Sequence, residues 1–430
     1  MDYFVRNSIE YFFFIYGICI FIVYFILIIL AAKAIKKSKQ KAKFLNIDYI
    51  KGSHDLPSIS LIAPAYNEGK TIINNVKSLL SIQYPFYELI IVNDGSVDDS
   101  MKQLITVFNL KEIKLEDNTS EISCAEIKKV YKSINAKYTS LTVVDKFNGG
   151  RSDAINCGII FAKSNLVLCT DADCIIEQDA LLKMVRPYIE ATEKEVIASG
   201  GIIGILNDSV IKNGIIKEIK MPKKLLPRIQ IVEYIRAFLL GRMAWGHING
   251  LMLVSGAFGL YSRHRLLEVG GLDKDTIGED LELCIRLRSH MESLNKPYKV
   301  VYIPEVLCWT EAPPNFKVYL SQRDRWARVY LIYYIVNDFI HWDVAILLAL
   351  TVYLAGCVFS TIAILMYSLN YKHYSKPKMI FQLLLASYLE SFYSHPVNLY
   401  AQLKGFFKKI FRINTGWGTM SRAGFNEEED

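Results

Sequence analysis

The stretch that decides the fold is Ser58–Ser96, "SISLIAPAYNEGKTIINNVKSLLSIQYPFYELIIVNDGS". It opens on a short apolar run, "SISLIAP", that ends at Pro64. A run of that length bounded by a breaker predicts a buried strand. In "EGKTIINNVKSLLSI" the apolar residues Ile72, Ile73, Val76, Leu79 and Leu80 recur at helical spacing. "YELIIVNDGS" is a second buried strand, closed by Asp94-Gly95-Ser96. The rhythm continues through "SLTVVDK", a helix from Arg151, and "NLVLCTDAD". Alternating β and α elements of this kind predict a mostly parallel, doubly wound sheet with helices on both faces. The segment from Leu110 to Tyr138 reads as an inserted, polar, partly helical excursion with no assigned chemistry.

In open α/β sheets, ligands bind outside the carboxyl ends of the strands. Here those ends carry Asn67/Glu68, Asp94, Asp145/Lys146 and Asp171/Asp173. A single aspartate at a strand end is ordinarily a turn residue or helix cap. Acids on three neighbouring strand ends point to a site. Asp171 and Asp173 are alternate residues, so an extended backbone turns both carboxylates to one side. That pair suits a hard divalent cation, Mg²⁺ or Mn²⁺, which binds carboxylates together with phosphate oxygens. Asn148-Gly149-Gly150 is a tight turn before a helix, flanked by Lys146 and Arg151. Backbone N–H groups at a helix start, with cations beside them, suggest a diphosphate subsite.

Composition places this domain beside membrane segments. The 430 residues are 52% hydrophobic, above the soluble norm, and mean hydropathy is +0.21. Residues 11–32 are uncharged and long enough to span a bilayer. Lys33, Lys36, Lys37, Lys39, Lys41 and Lys43 follow, so residues 33–56 form a basic cytoplasmic linker by the positive-inside rule. A signal peptide is the weaker reading, because the charge lies on the wrong flank. Residues 57–315 form the globular domain, 316–342 an interface helix, 343–370 a second span, and 378–403 a span or interface helix interrupted by Glu390, His395 and Pro396. Residues 404–430 read as a cytoplasmic tail, with no appended domain. "VEYIRAFLLGRMAW" is an amphipathic helix near the membrane or in the core. The net charge of +7 sits in local lysine clusters, which argues against a nucleic-acid surface. Eight cysteines without metal spacing suit reduced thiols in a cytoplasm.

Seven motifs occur in order: "PAYNE", "VNDGS", "DKFNGGRSDAIN", "DADC", "SGAFGLYSR", "GEDLEL" and "QRDRW". Together they resemble the membrane-embedded family 2 glycosyltransferases. These are GT-A enzymes that include cellulose, hyaluronan and poly-N-acetylglucosamine synthases. "WGTMSRAGF" near the end resembles a tail found in some bacterial members. The resemblance implies a processive, inverting transferase that builds a β-linked exopolysaccharide from UDP-N-acetylglucosamine or UDP-glucose at a bacterial cytoplasmic membrane. It implies that Asn67, Glu68 and Asp94 line the nucleoside pocket. Lys146, Arg151 and Asp153 would hold the base and diphosphate side. Asp171 would contact the nucleotide and Asp173 the metal, with Asp280 as catalytic base and Glu279 beside it. Gln322 and Arg325 would grip the diphosphate, and Trp326 would stack on the acceptor sugar. Gly256, Ala257 and Phe258 would belong to the acceptor-side loop. Trp309 and Glu311, in "CWTEAPP", read either as an ordinary loop ended by the two prolines or as a sugar-binding surface near the acceptor. The partners implied are the UDP-sugar, the growing chain and the bilayer; the exit path is formed by the third segment with interface helices, or completed by a second copy or a small membrane subunit. Transfer of one sugar to a polyprenyl lipid carrier, and a catalytically dead nucleotide-sugar binder, are the alternatives.

Overall fold

In the computed structural model the described residues are 2–44, 56–114, 122–172, 174–212, 214–276, 278–327, 342–398, 400, 401, 404, 426 and 427. Asp173 lies outside them, as do the side chains of Arg325 and Trp326. In chain order the elements are α1 (Asp2–Phe44), β1 (Ile59–Ala65), α2 (Ile72–Leu80), β2 (Tyr87–Asp94), α3 (Ser100–Phe108), β3 (Leu110–Ile113) and β4 (Ile127–Ser133). There follow β5 (Leu141–Lys146), α4 (Arg151–Phe161), β6 (Leu166–Thr170), β7 (Ile175–Ile176), α5 (Ala180–Ile189), β8 (Glu195–Ile205), β9 (Val210–Lys212) and β10 (Ile215–Glu218). Next come α6 (Leu225–Tyr234), α7 (Met243–His247), β11 (Phe258–Ser262), α8 (Arg263–Glu268), α9 (Glu279–Ser293), β12 (Tyr298–Thr310), α10 (Phe316–Ala327), α11 (Trp342–Asn370) and α12 (Pro377–Tyr393). The chain divides into two units. One holds residues 37–220, 248–311 and 421–430; the other holds 1–36, 221–247 and 312–420.

The first unit is built on a ten-stranded sheet in the order β3-β4-β5-β2-β1-β6-β11-β8-β12-β7. Its centre, β5-β2-β1-β6, is parallel, and β8 pairs β12 in parallel. These strands read as continuous apolar runs because both faces are covered: Ile59, Leu61, Ile62, Leu89, Ile90, Ile91 and Val92 are fully buried. The parallel register puts Ala65, Asn93 and Asp145 side by side, so the strand ends line up along one edge. The Leu110–Tyr138 excursion differs from expectation. Its described residues form β3 and β4, which extend the sheet antiparallel, and one short 3₁₀ turn at Ala136–Tyr138. Val130 and Ser133 turn inward while their neighbours stay polar, which suits a half-covered sheet edge.

A second difference concerns Trp309. The prolines of "CWTEAPP" suggest a loop there, yet β12 runs through to Thr310. The Trp309 side chain is fully buried and donates its indole N–H to Glu177 at 2.7 Å. It lies across Gly204, its register partner on β8. Trp309 is therefore core packing, and the expectation of an acceptor platform is corrected. Glu311 follows the strand end and is half-buried.

The second unit is helical. α6 continues through a π-helical stretch, Ile235–Arg242, into α7. Among the described residues two helices are long and apolar enough to cross a membrane: Phe14–Lys41 within α1, and Val352–Asn370 within α11. α12 spans 17 residues and carries Glu390, which is 2% exposed. Glu390 is tolerated because Arg236 meets both of its oxygens, at 2.5 and 3.0 Å, and also donates to Ser360 Oγ at 2.7 Å. On the adjoining turn Glu233 receives Arg323 and the Tyr319 hydroxyl, which docks α10 onto α6. A buried charge survives only when paired and hydrogen-bonded.

A Cβ placed on Gly204 would lie 2.2 Å from Trp309 Cε3, inside a rigid ring. Gly204→Ala should therefore destabilise the protein by about 1–3 kcal/mol, the usual range for overpacking. Gly356→Ala, in α11 with nothing near the added methyl, should not. Thermal unfolding of both purified variants beside the parent checks this pair of outcomes.

Candidate active site

The carboxyl edge of the sheet is organised by two cations, Lys146, which is fully buried, and Arg151, which is largely covered. Lys146, the last residue of β5, has no exposed surface. Its ammonium reaches Asp94 Oδ1 at 2.5 Å, Asp153 Oδ1 at 2.7 Å and the Phe147 carbonyl at 2.8 Å. All three donors of a lysine are thereby used. Burial opposes the charge on Lys146, but hydrogen bonds and attraction from Asp153 and Asp94 outweigh it and hold the pKa above the ordinary value.

Asp94 is 4% exposed and its acceptors are committed. Besides Lys146, it takes the Gly149 N–H at 3.0 Å, the Gly150 N–H at 2.9 Å and the Asn148 amide at 3.1 Å. This corrects the expectation that the Gly149-Gly150 amides are offered to a diphosphate: the anion they hold is Asp94. The chain needs glycine at 95 for the same contact. Gly95 has φ +70°, and a Cβ there would sit 2.7 Å from the Asn148 backbone nitrogen. Asp153 is likewise internal, 2% exposed, and accepts the Ala125 N–H at 3.0 Å. Asp94, Lys146 and Asp153 therefore shape the edge from beneath.

Asn67 is exposed and sits in the left-handed region at φ 56°. Its backbone N–H donates to Ser96 Oγ and its side-chain oxygen accepts the Val97 N–H, both at 2.9 Å. The loops after β1 and β2 are thereby tied together. Glu68 begins the turn into α2: its carbonyl accepts from Thr71 and Ile72, and its carboxylate from the Thr71 hydroxyl at 3.1 Å.

Arg151 is the second cation. It opens α4, and its guanidinium spans three segments. Nε donates to Asp171 Oδ1 at 2.8 Å, Nη1 to Glu279 Oε1 at 2.6 Å, and Nη2 to the Gly256 carbonyl at 2.7 Å. Burial opposes its charge, but Asp171 and Glu279 keep it well above the usual range. Asp171 directly follows β6 and its side chain is 33% exposed, whereas Glu279 is buried. Burial pushes the Glu279 carboxyl up, Arg151 pulls it down, and Asp280 pushes it up again; the net direction is up. Asp280 is half-buried. Its Oδ2 accepts the Gly256 N–H at 3.0 Å and its Oδ1 the Leu281 N–H at 2.9 Å. The Thr170 hydroxyl donates to the Ala257 carbonyl at 3.0 Å. The loop 255–257 is therefore stapled between the end of β6 and the start of α9. Phe258 itself is core, fully buried and paired with Thr170 on the sheet, so its side chain does not face an acceptor.

Of the expected site residues, the structure brings together Arg151, Asp171, Gly256, Glu279 and Asp280. Thr170 was not singled out in the sequence reading, and Asn148 only as part of a turn. Both act through contacts to residues far away in the chain, which no local pattern encodes. Gln322 is buried on α10 in the helical unit. Among the described residues no group of three or more metal-ligating side chains gathers, and Asp173 lies outside them.

A family described as glycosyltransferase-like family 2 matches residues 57–328. The chain belongs to that family. It is 29% identical over 280 residues to the poly-beta-1,6-N-acetyl-D-glucosamine synthase of Staphylococcus epidermidis, across 65% of this chain and 56% of that one. It is 28% identical over 298 residues to the synthase of the same name from Staphylococcus aureus strain COL, across 69% of this chain and 58% of that one. The chain thus spans a little over half the length of these curated relatives. Among solved structures it resembles a mannosyltransferase of Pyrobaculum calidifontis in complex with GDP-Man and Mn²⁺, at 15% identity and TM-score 0.47, over 91% of this chain and 99% of that one. Most of the α/β unit lies within the residues that the family model matches.

Lys146→Met would remove the ammonium that Asp94 and Asp153 share, leaving these buried carboxylates with amide donors and, for Asp153, Lys274 at 3.7 Å. The expected cost is about 3–5 kcal/mol, as for other broken buried pairs. Lys146→Met combined with Asp153→Asn should recover part of it. Thermal unfolding of the two variants measures both effects.

Proposed function

We propose that this chain is a processive, inverting glycosyltransferase that polymerises a β-linked exopolysaccharide from a UDP-sugar at the cytoplasmic face of a membrane. The observation that carries the reading is the Arg151 junction. It sets the half-exposed Asp280 beside a strand-end carboxylate, Asp171, through one shared loop residue, Gly256. The likeness to the staphylococcal synthases favours N-acetylglucosamine as the transferred sugar.

In this reading Asp280 removes the proton from the acceptor hydroxyl. The hydroxyl attacks the anomeric carbon from the face opposite the UDP, and the configuration inverts. The Gly256 and Leu281 N–H groups fix the carboxylate, and each oxygen retains a lone pair for the acceptor proton. Glu279 serves as the Arg151 partner and not as a second base. Its charge and that of Asp171 keep the guanidinium in place. Arg151 supplies positive charge near the donor, where negative charge grows on the leaving diphosphate. Asn67 and Glu68, on exposed and half-buried turns, are placed on the nucleoside side; Asp94, Lys146 and Asp153 support that side from within. Gln322, Arg325 and Trp326 keep the roles the resemblance gives them. Gly256 and Ala257 form the acceptor-side loop, with Glu311 held as an acceptor residue.

The residues present fit a hard divalent cation such as Mg²⁺ or Mn²⁺. Asp171 is an oxygen donor at a strand end, a third exposed, and already oriented by Arg151. Asp171 and Asp173 would hold the ion, which would neutralise charge on the diphosphate. The apolar helices Phe14–Lys41 and Val352–Asn370 support a membrane location, with the lysines after the first on the cytoplasmic side. The growing chain would leave through the bilayer, with a second copy or a small membrane subunit as partner.

The test is a panel of UDP-sugars given to the purified full-length chain, with UDP release and product length measured. A polymer is expected, cut by glycosidases specific for N-acetylglucosamine linkages. A single-sugar glycolipid would instead indicate the lipid-carrier reaction. Asp280→Asn should lower UDP release by about 10²–10⁴-fold while leaving folding intact. Near-parental release from that variant would remove Asp280 from the role of base.

A further inference from the structure

At the amino ends of the central strands, opposite the candidate active site, there is a cavity of about 500 Å³. Its wall includes Leu166 and Glu195, which begin β6 and β8, together with Tyr188, Lys194 and Lys296. Further lysines adjoin it. Lys299 follows the start of β12 and pairs with Val196, a cavity residue. Lys37 and Lys41, one helical turn apart on α1, lie close enough to Lys299 to repel it, as does Lys194. The acids do not balance this charge. Glu195 is taken by Arg265 through two hydrogen bonds, at 2.9 and 2.6 Å. Glu190 meets Lys41 at 2.8 Å, and Glu193 lines the cavity. Five lysines therefore share Glu190 and Glu193. Burial, then repulsion from Lys41, hold the Lys299 ammonium below its ordinary pKa, with Glu190 opposing them. Like charges held together by the fold are relieved by a bound anion.

Position along α1 sets how far these lysines stand from the apolar run. At about 1.5 Å per residue, Lys37 lies roughly 8 Å and Lys41 roughly 14 Å beyond the apolar run that ends at Ala32. The headgroup layer occupies roughly the first 5–8 Å outside the hydrocarbon, so Lys37 stands at its outer edge and Lys41 beyond it. We propose that the cavity and its five lysines bind a phosphate-bearing anion, either the headgroup of an acidic phospholipid or free phosphate. The lipid source rests on the membrane reading of α1; the anion site itself does not. Lys194 and Lys299 extend the patch into the globular domain, beyond the lysines that set topology.

The discriminating variant is Lys194→Gln/Lys299→Gln, which leaves Lys37 and Lys41 in place and touches nothing in the proposed catalytic machinery. The full-length chain is reconstituted in nanodiscs of phosphatidylcholine with phosphatidylglycerol, and retained lipid is counted by mass spectrometry. In a second arm, inorganic phosphate is titrated against the protein in neutral detergent while thermal stability is followed. Parental protein should retain phosphatidylglycerol, and the variant on the order of tenfold less, as expected for two lost lysines. Lys194→Arg/Lys299→Arg should retain it, which separates lost charge from lost folding. Phosphate that stabilises the parent but not the Gln variant would support the site with free phosphate as its source. Equal lipid retention by parent and Gln variant, with no phosphate effect, would overturn the proposal. A chain that fails to enter nanodiscs would count against the membrane reading, and the phosphate arm would still report on the site.

Discussion

The candidate site depends on one guanidinium. Arg151 is flat, permanently charged and held by acceptors on three segments that the sequence places 20, 105 and 128 residues away. No lysine could hold this geometry, because its donors radiate from one atom whereas those of arginine form a fork. Removing the charge would free the end of β6, the loop at Gly256 and the start of α9 together. Lys146 repeats the logic one layer deeper. There a buried ammonium is shared by two carboxylates, and the Asn148-Gly149-Gly150 turn wraps one of them. Charge at this edge is thus used twice: inside to fix the loops, and at the surface to leave Asp171 and Asp280 accessible.

The parallel centre of the fold was legible because buried strands carry unbroken apolar runs and end in polar turns. Asp94 and Asp171 mark those ends in the sequence, and both stand where strand reading puts them. What the sequence hid was direction. It could not tell that the Asp94 carboxylate turns inward to the glycine amides, since an aspartate and a Gly-Gly turn 55 residues apart carry no joint pattern. β12 was hidden for a different reason. Pro304 and the prolines after Ala312 suggest breaks, yet Pro304 sits where the pairing with β8 shifts register, between Ile303 and Val306, so no regular ladder bond is lost. Trp309 then continues into the core.

The helical unit follows the same rule in an apolar setting. Glu390 interrupts an otherwise apolar helix, and hydropathy alone makes it a fault. Its pairing with Arg236 turns it into a tie between α12 and the helical stretch after α6. Glu233 and Arg323 make a second tie, to the helix that carries Gln322. Buried polar pairs of this kind fix which helix faces meet, although the net stability they add is small.

The most direct measurement is the UDP-sugar turnover of Arg151→Lys in the full-length protein, taken with its thermal stability. A lysine keeps the charge but cannot span Asp171, Glu279 and Gly256. The account predicts turnover reduced by about 10²-fold or more in a protein that still folds, the scale expected when a catalytic group is displaced by about 1 Å. Turnover close to the parent's would contradict it, because the site would then not depend on the three-way junction.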